Sequence, residues 1–121
     1  MAYDVEFYQK ENGEVPVKDF LETLPPKLRA KALREIELLK EHGPALREPH
    51  TKPIKGKDNK GIYELRIKFS TDISRVFYFV HIGSTFVLLH GFLKKVNKTP
   101  AREIDLARKY KEDYERRCKD D

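Results

Sequence analysis

The stretch "YELRIKFSTDISRVFYFV" (63–80) decides the fold. Its first half alternates. Tyr63, Leu65, Ile67 and Phe69 fall on one face, and Glu64, Arg66 and Lys68 fall on the other. That period of two marks a strand with two unlike sides. The second half continues into "SRVFYFVH" (74–81), apolar on both faces apart from Arg75. A third run, "TFVLLHGFLKK" (85–95), is apolar on both faces as far as His90 and ends on Lys94 and Lys95. The connection "IGS" (82–84) is short enough for a hairpin. Strands joined in succession by short turns pair antiparallel, so these runs predict a meander of three strands.

Working outward, "AYDVEFYQ" predicts a first strand over residues 2–8, added at an edge of the sheet. Asn12–Gly13 marks a turn. Pro16 opens a short helix over 17–24. Pro25 and Pro26 at one end, and Gly43 with Pro44 at the other, bound the clearest helix, whose buried stripe is Leu28, Ala32, Ile36 and Leu39. Residues 44–61 read as a long loop rich in lysine: Lys52, Lys55, Lys57 and Lys60. Long loops in small domains commonly carry function. A last helix starts near Thr99 and Pro100, with a mostly apolar stripe of Ile104, Ala107, Tyr110 or Lys111, and Tyr114. The order is β-α-α-β-β-β-α. It describes a single α+β domain over residues 1–121, an antiparallel sheet with two N-terminal helices and a C-terminal one.

A chain of 121 residues with seven Phe and six Tyr can build a core without disulfides or metals. One cysteine, Cys118, cannot form an internal bridge, which suits a reducing compartment. No run is apolar enough to span a membrane, and the charged start does not resemble a signal peptide. A cytoplasmic protein without membrane contact is expected. No zinc spacing, phosphate loop or dinucleotide glycine pattern is present, so no metal and no cofactor are expected. The net charge of +5 suits a polyanionic partner.

The residues that invite chemistry are basic. Arg75 opens an apolar run, where an unpaired buried guanidinium would be costly. A tight turn at Thr71 and Asp72 would set Arg75 opposite Lys68 and diagonal to Arg66. Like charges so placed repel, and a face that tolerates them can meet an anion. Alternation puts Lys94 on the face of His90 and Phe92 and Lys95 on the other, without deciding which lysine joins the arginines. His90 is a candidate for acid–base work. His42 and His50 read as surface residues. Two mechanisms fit such a face: passive RNA binding through phosphates, or RNA cutting by the ribose 2′-OH with fixed cations stabilising the transition state.

The combination "YELR", "RVFYF", "LLHGFLKK" and "KTPAREI" resembles the toxins of type II toxin–antitoxin modules, in the phage-derived HigB-like branch of the RelE/ParE superfamily. The resemblance implies a RelE/ParE-like fold and a ribosome-dependent endoribonuclease, an mRNA interferase that inhibits translation. It also implies a cognate helix-turn-helix, HigA-like antitoxin and contact with ribosome and mRNA. By position it makes Arg66, Arg75, Lys94 and Lys95 catalytic, with His90 or Glu64 as substitutes for the missing acid and base. Glu64 stands where RelE has a strand lysine, and Thr99 and Pro100 stand where it has a tyrosine. Lys52, Lys55, Lys57, Lys60 and Lys98 would grip RNA. Two alternatives are an inhibitor of gyrase, as in related ParE proteins, and an inactive phage-derived binding protein.

Overall fold

The computed structural model describes residues 3–69, 72–94 and 99–119. Its elements are β1 (Asp4–Phe7), α1 (Pro16–Thr23), α2 (Pro26–His42), β2 (Thr51–Pro53), β3 (Ile62–Phe69), β4 (Asp72–His81), β5 (Thr85–Leu93) and α3 (Ala101–Lys119). The predicted order holds with one addition. The long loop contributes β2, a three-residue strand paired antiparallel with β3. The five strands lie in the order β1-β5-β4-β3-β2. β1 is at an edge as expected, and it runs parallel to β5.

The sheet is a central layer with helices on both faces. On one face the stripe Leu28, Ala32, Ile36 and Leu39 of α2 packs with Val17 and Leu21 of α1 onto Leu65, Ile67, Val76, Tyr78, Phe86 and Leu88. On the other, α3 lays Ile104, Ala107, Tyr110 and Tyr114 over Ile62, Phe77, Phe79, Val87, Leu89 and Phe92. This explains why β4 and β5 carry apolar residues on both sides: each side has its own helical cover. No helix among the described residues is long and apolar enough to cross a membrane.

Two local details position the site. The β3–β4 register differs from the expected one. Phe69 pairs with Asp72, so Arg66 stands directly opposite Arg75, and Lys68 stands opposite Ile73. This register sets Glu64 opposite Phe77 and hence diagonal to Arg75. The expected register would have set Lys68 opposite Arg75 and Arg66 on its diagonal; the observed one puts the Glu64 carboxylate on that diagonal instead. The face of Glu64 is accordingly not a wet one; Glu64 is buried. The second detail is a β-bulge. Phe77 pairs with His90 but Tyr78 pairs with Leu88, leaving Leu89 as the extra residue. Up to the bulge Val87 and Leu89 face α3; beyond it His90 and Phe92 do. The bulge therefore turns the even-numbered residues, and with them Lys94, toward the face of Arg75.

A candidate cationic active site

Arg75 is the centre of the site. It is only 2% exposed, and its Nε lies 3.6 Å from Glu64 Oε1. That contact is an ion pair without a hydrogen bond, and Nε has no other partner among the described residues. Nη1 donates to the Ser74 carbonyl at 3.2 Å. Burial lowers the guanidinium pKa, Glu64 raises it, and Arg66 across the ladder lowers it again. A charge held under such tension, with one carboxylate for support, is poised to bind an anion.

The neighbours add to the positive potential. The N–H of Lys94 continues the ladder beyond β5, donating to Ile73 O at 2.8 Å. Its ammonium pKa is lowered, first by burial, then by Arg75, and further by Arg66 and Lys52, while Glu64 opposes the shift. Lys94 is thus coupled to both arginines. Lys52 is exposed and stands opposite Glu64 in the β2–β3 register. Beside these lies a cleft of about 310 Å³, lined by Lys31 and Glu35 of α2, Pro49 and His50 before β2, Arg66 and Lys68 of β3, and Ile73 and Arg75 of β4. Arg66 is half-buried there, its backbone N–H bound to the His50 carbonyl at 2.8 Å.

The structure thus gathers Arg66, Arg75, Lys94 and Lys52 around Glu64. It does not bring every expected residue with them. Lys55, Lys57 and Lys60 are exposed on the turn after β2, whose Asn59 accepts from Arg108 of α3 at 3.1 Å. None of the three lines the cleft. His90 lies under α3, its Nε2 3.2 Å from Glu103 Oε1, its ring stacked on Phe92 and edge-on to Tyr110. It joins the sheet to α3 rather than lining the cleft. Lys95 and Lys98 fall outside the described residues.

Two residues of the cleft escaped the sequence reading. Glu35 is buried on α2, where its Oε1 lies 3.0 Å from Lys31 Nζ and its Oε2 lies 2.9 Å from His50 Nδ1. No local signal marks this pair. Glu35 falls at the margin of an apolar stripe, and its partner lies in a proline-rich loop fifteen positions on.

Two guanidinium groups, an ammonium coupled to them, and a polar cleft open to solvent together suit a phosphodiester. No curated protein matches this chain. A family model does match: residues 19–112 fit "Phage derived protein Gp49-like (DUF891)". That span runs from within α1 through most of α3 and takes in the whole cleft. The chain belongs to this phage-derived Gp49-like family, a toxin-like family related to the RelE/ParE superfamily.

Proposed function

We propose that this protein is the toxin of a HigB-like toxin–antitoxin module and cuts mRNA on the ribosome. The observation that carries the reading is the convergence of Arg75, Arg66 and Lys94 on one face of the sheet beside the buried carboxylate of Glu64. In the proposed reaction the ribose 2′-O attacks the adjacent phosphorus while the P–O5′ bond breaks. Arg75 and Arg66 hold the non-bridging oxygens and stabilise the charge that builds on them. Lys94, its ammonium pKa lowered, accepts the 2′-OH proton as its neutral amine. The products are a 2′,3′-cyclic phosphate and a 5′-OH. Lys52 and the lysines of the following turn are exposed and suit contacts to ribosomal or messenger RNA. A helix-turn-helix, HigA-like antitoxin is the proposed partner.

Primer extension after brief induction in cells tests the reading, with translated and untranslatable versions of one message side by side. Cuts confined to the translated message, and absent with Arg75→Ala, are expected. Growth arrest with DNA damage and intact messages would move the target to gyrase. Harmless expression of folded protein would leave only a binding role.

A further inference from the structure

The proposed reaction needs an acid for the departing 5′ oxygen, and none of the residues aligned with the superfamily supplies one. We infer that His50, held by the buried carboxylate of Glu35, protonates that oxygen. The inference rests on the reading of the cleft as an RNA-cutting site.

The geometry supports it in three ways. First, His50 lines the cleft together with Arg66 and Arg75, and its side chain is 38% exposed, so a ligand can reach it. Second, Nδ1 sits 2.9 Å from Glu35 Oε2. That contact fixes the ring and leaves Nε2, without a partner among the described residues, as the nitrogen available to the cleft. A carboxylate orienting one ring nitrogen while the other handles a proton is a recurrent arrangement in acid–base sites. Third, the strand order puts His50 and Lys94 on opposite flanks of the arginines. The His50 carbonyl accepts from Arg66 N–H, Arg66 faces Arg75, and Arg75 faces Phe92 on β5, two residues before Lys94. A displacement with attacking and leaving oxygens in line needs its base and acid on opposite sides of the phosphate. The strand order places the backbones of Lys94 and His50 on such opposite flanks of the arginines.

The step balances. The P–O2′ bond forms and the P–O5′ bond breaks. The 2′-OH proton passes to the Lys94 amine, and the His50 imidazolium gives its Nε2 proton to O5′. The charged groups facing His50 are Glu35 and Lys31 from α2 and Arg66, Lys68 and Arg75 from the sheet. Glu35, 2.9 Å from Nδ1, is therefore the positioning residue that orients the ring.

The test uses programmed ribosomes and a message carrying either the ordinary linkage or sulfur in place of the 5′ bridging oxygen. A thiolate leaves without a proton. On the ordinary linkage His50→Ala is expected to slow single-turnover cutting by about 10²–10⁴-fold. On the sulfur linkage it should cut at close to the wild-type rate. Glu35→Gln should show the same pattern in weaker form. His50→Gln, which keeps a hydrogen bond to Glu35, serves as the folding control and should lose activity alongside His50→Ala. If wild type cuts and His50→Ala matches it, or if His50→Ala is equally slow on both linkages, the assignment falls alone. If wild type cuts neither message, the reading of the cleft falls with it.

Discussion

Replacing Glu64 with Gln keeps the shape of the side chain and removes the one carboxylate that faces Arg75. Arg75 is 2% exposed, so water solvates little of its charge. Its remaining charged neighbours, Arg66 and Lys94, are cations. Removing one partner of a buried ion pair costs about 3–5 kcal/mol. Here the partners stand 3.6 Å apart without a hydrogen bond, which favours the lower end of that range. In a domain of 121 residues a loss of about 3 kcal/mol lowers Tm by roughly 12 °C, at about 4 °C per kcal/mol. Circular dichroism melting of wild type, Glu64→Gln, Arg75→Met and the double variant Glu64→Leu/Arg75→Met measures it. Each single variant should melt far below wild type. The double variant should lie within about 2 kcal/mol of wild type, because an apolar pair leaves no uncompensated charge. Melting of Glu64→Gln within the error of wild type would refute the reasoning, since Arg75 would then be finding solvent.

Lys94 should titrate below the ordinary lysine value, and NMR of its ε-methylene follows this directly. Arg75→Gln should raise that pKa and Glu64→Gln should lower it. Because the folded value is depressed, the folded chain holds fewer protons than the unfolded one between that value and 10.5. The Lys94 contribution to stability therefore improves as pH rises through that window and is least favourable below it. At Gly91 a Cβ would run into three ring atoms of Phe20. Gly91→Ala should therefore cost about 1–3 kcal/mol in urea unfolding, and Phe20→Val in the same chain should recover part of it. His90→Gln loses the contact to Glu103 and should lower stability by about 0.5–1 kcal/mol while leaving cutting per folded molecule unchanged. Loss of cutting at unchanged stability would instead place His90 in the chemistry.

Much of this fold is legible locally. The alternation in 63–69, the two-sided apolar runs that follow, and the stripe Leu28, Ala32, Ile36 and Leu39 each carry a period that survives into the structure. β2 is not legible, because Thr51–Pro53 is too short and too polar to show a period and pairs only because β3 offers an edge. The gathering of basic residues is legible in outline, and its geometry is not. Whether Lys94 or Lys95 turns toward Arg75 depends on the bulge at Leu89, which strict alternation cannot express. The partner of Arg75 depends on a hairpin register set two residues away from the naive one. The Glu35–His50 pair joins a helix to a loop and exists only in three dimensions.

The central claim is that Arg75 and its neighbours cut mRNA on the ribosome. The most direct measurement programmes purified ribosomes with an end-labelled message and adds wild-type protein or Arg75→Lys, with folding of both verified at the assay temperature. Arg75→Lys keeps the charge but loses the two-pronged contact to phosphate oxygens. The account predicts a cut in the ribosomal A site ending in a 2′,3′-cyclic phosphate, slowed by about 10²-fold or more in the variant. A message left whole by wild-type protein in every reading frame, or cut equally fast by Arg75→Lys, would contradict it.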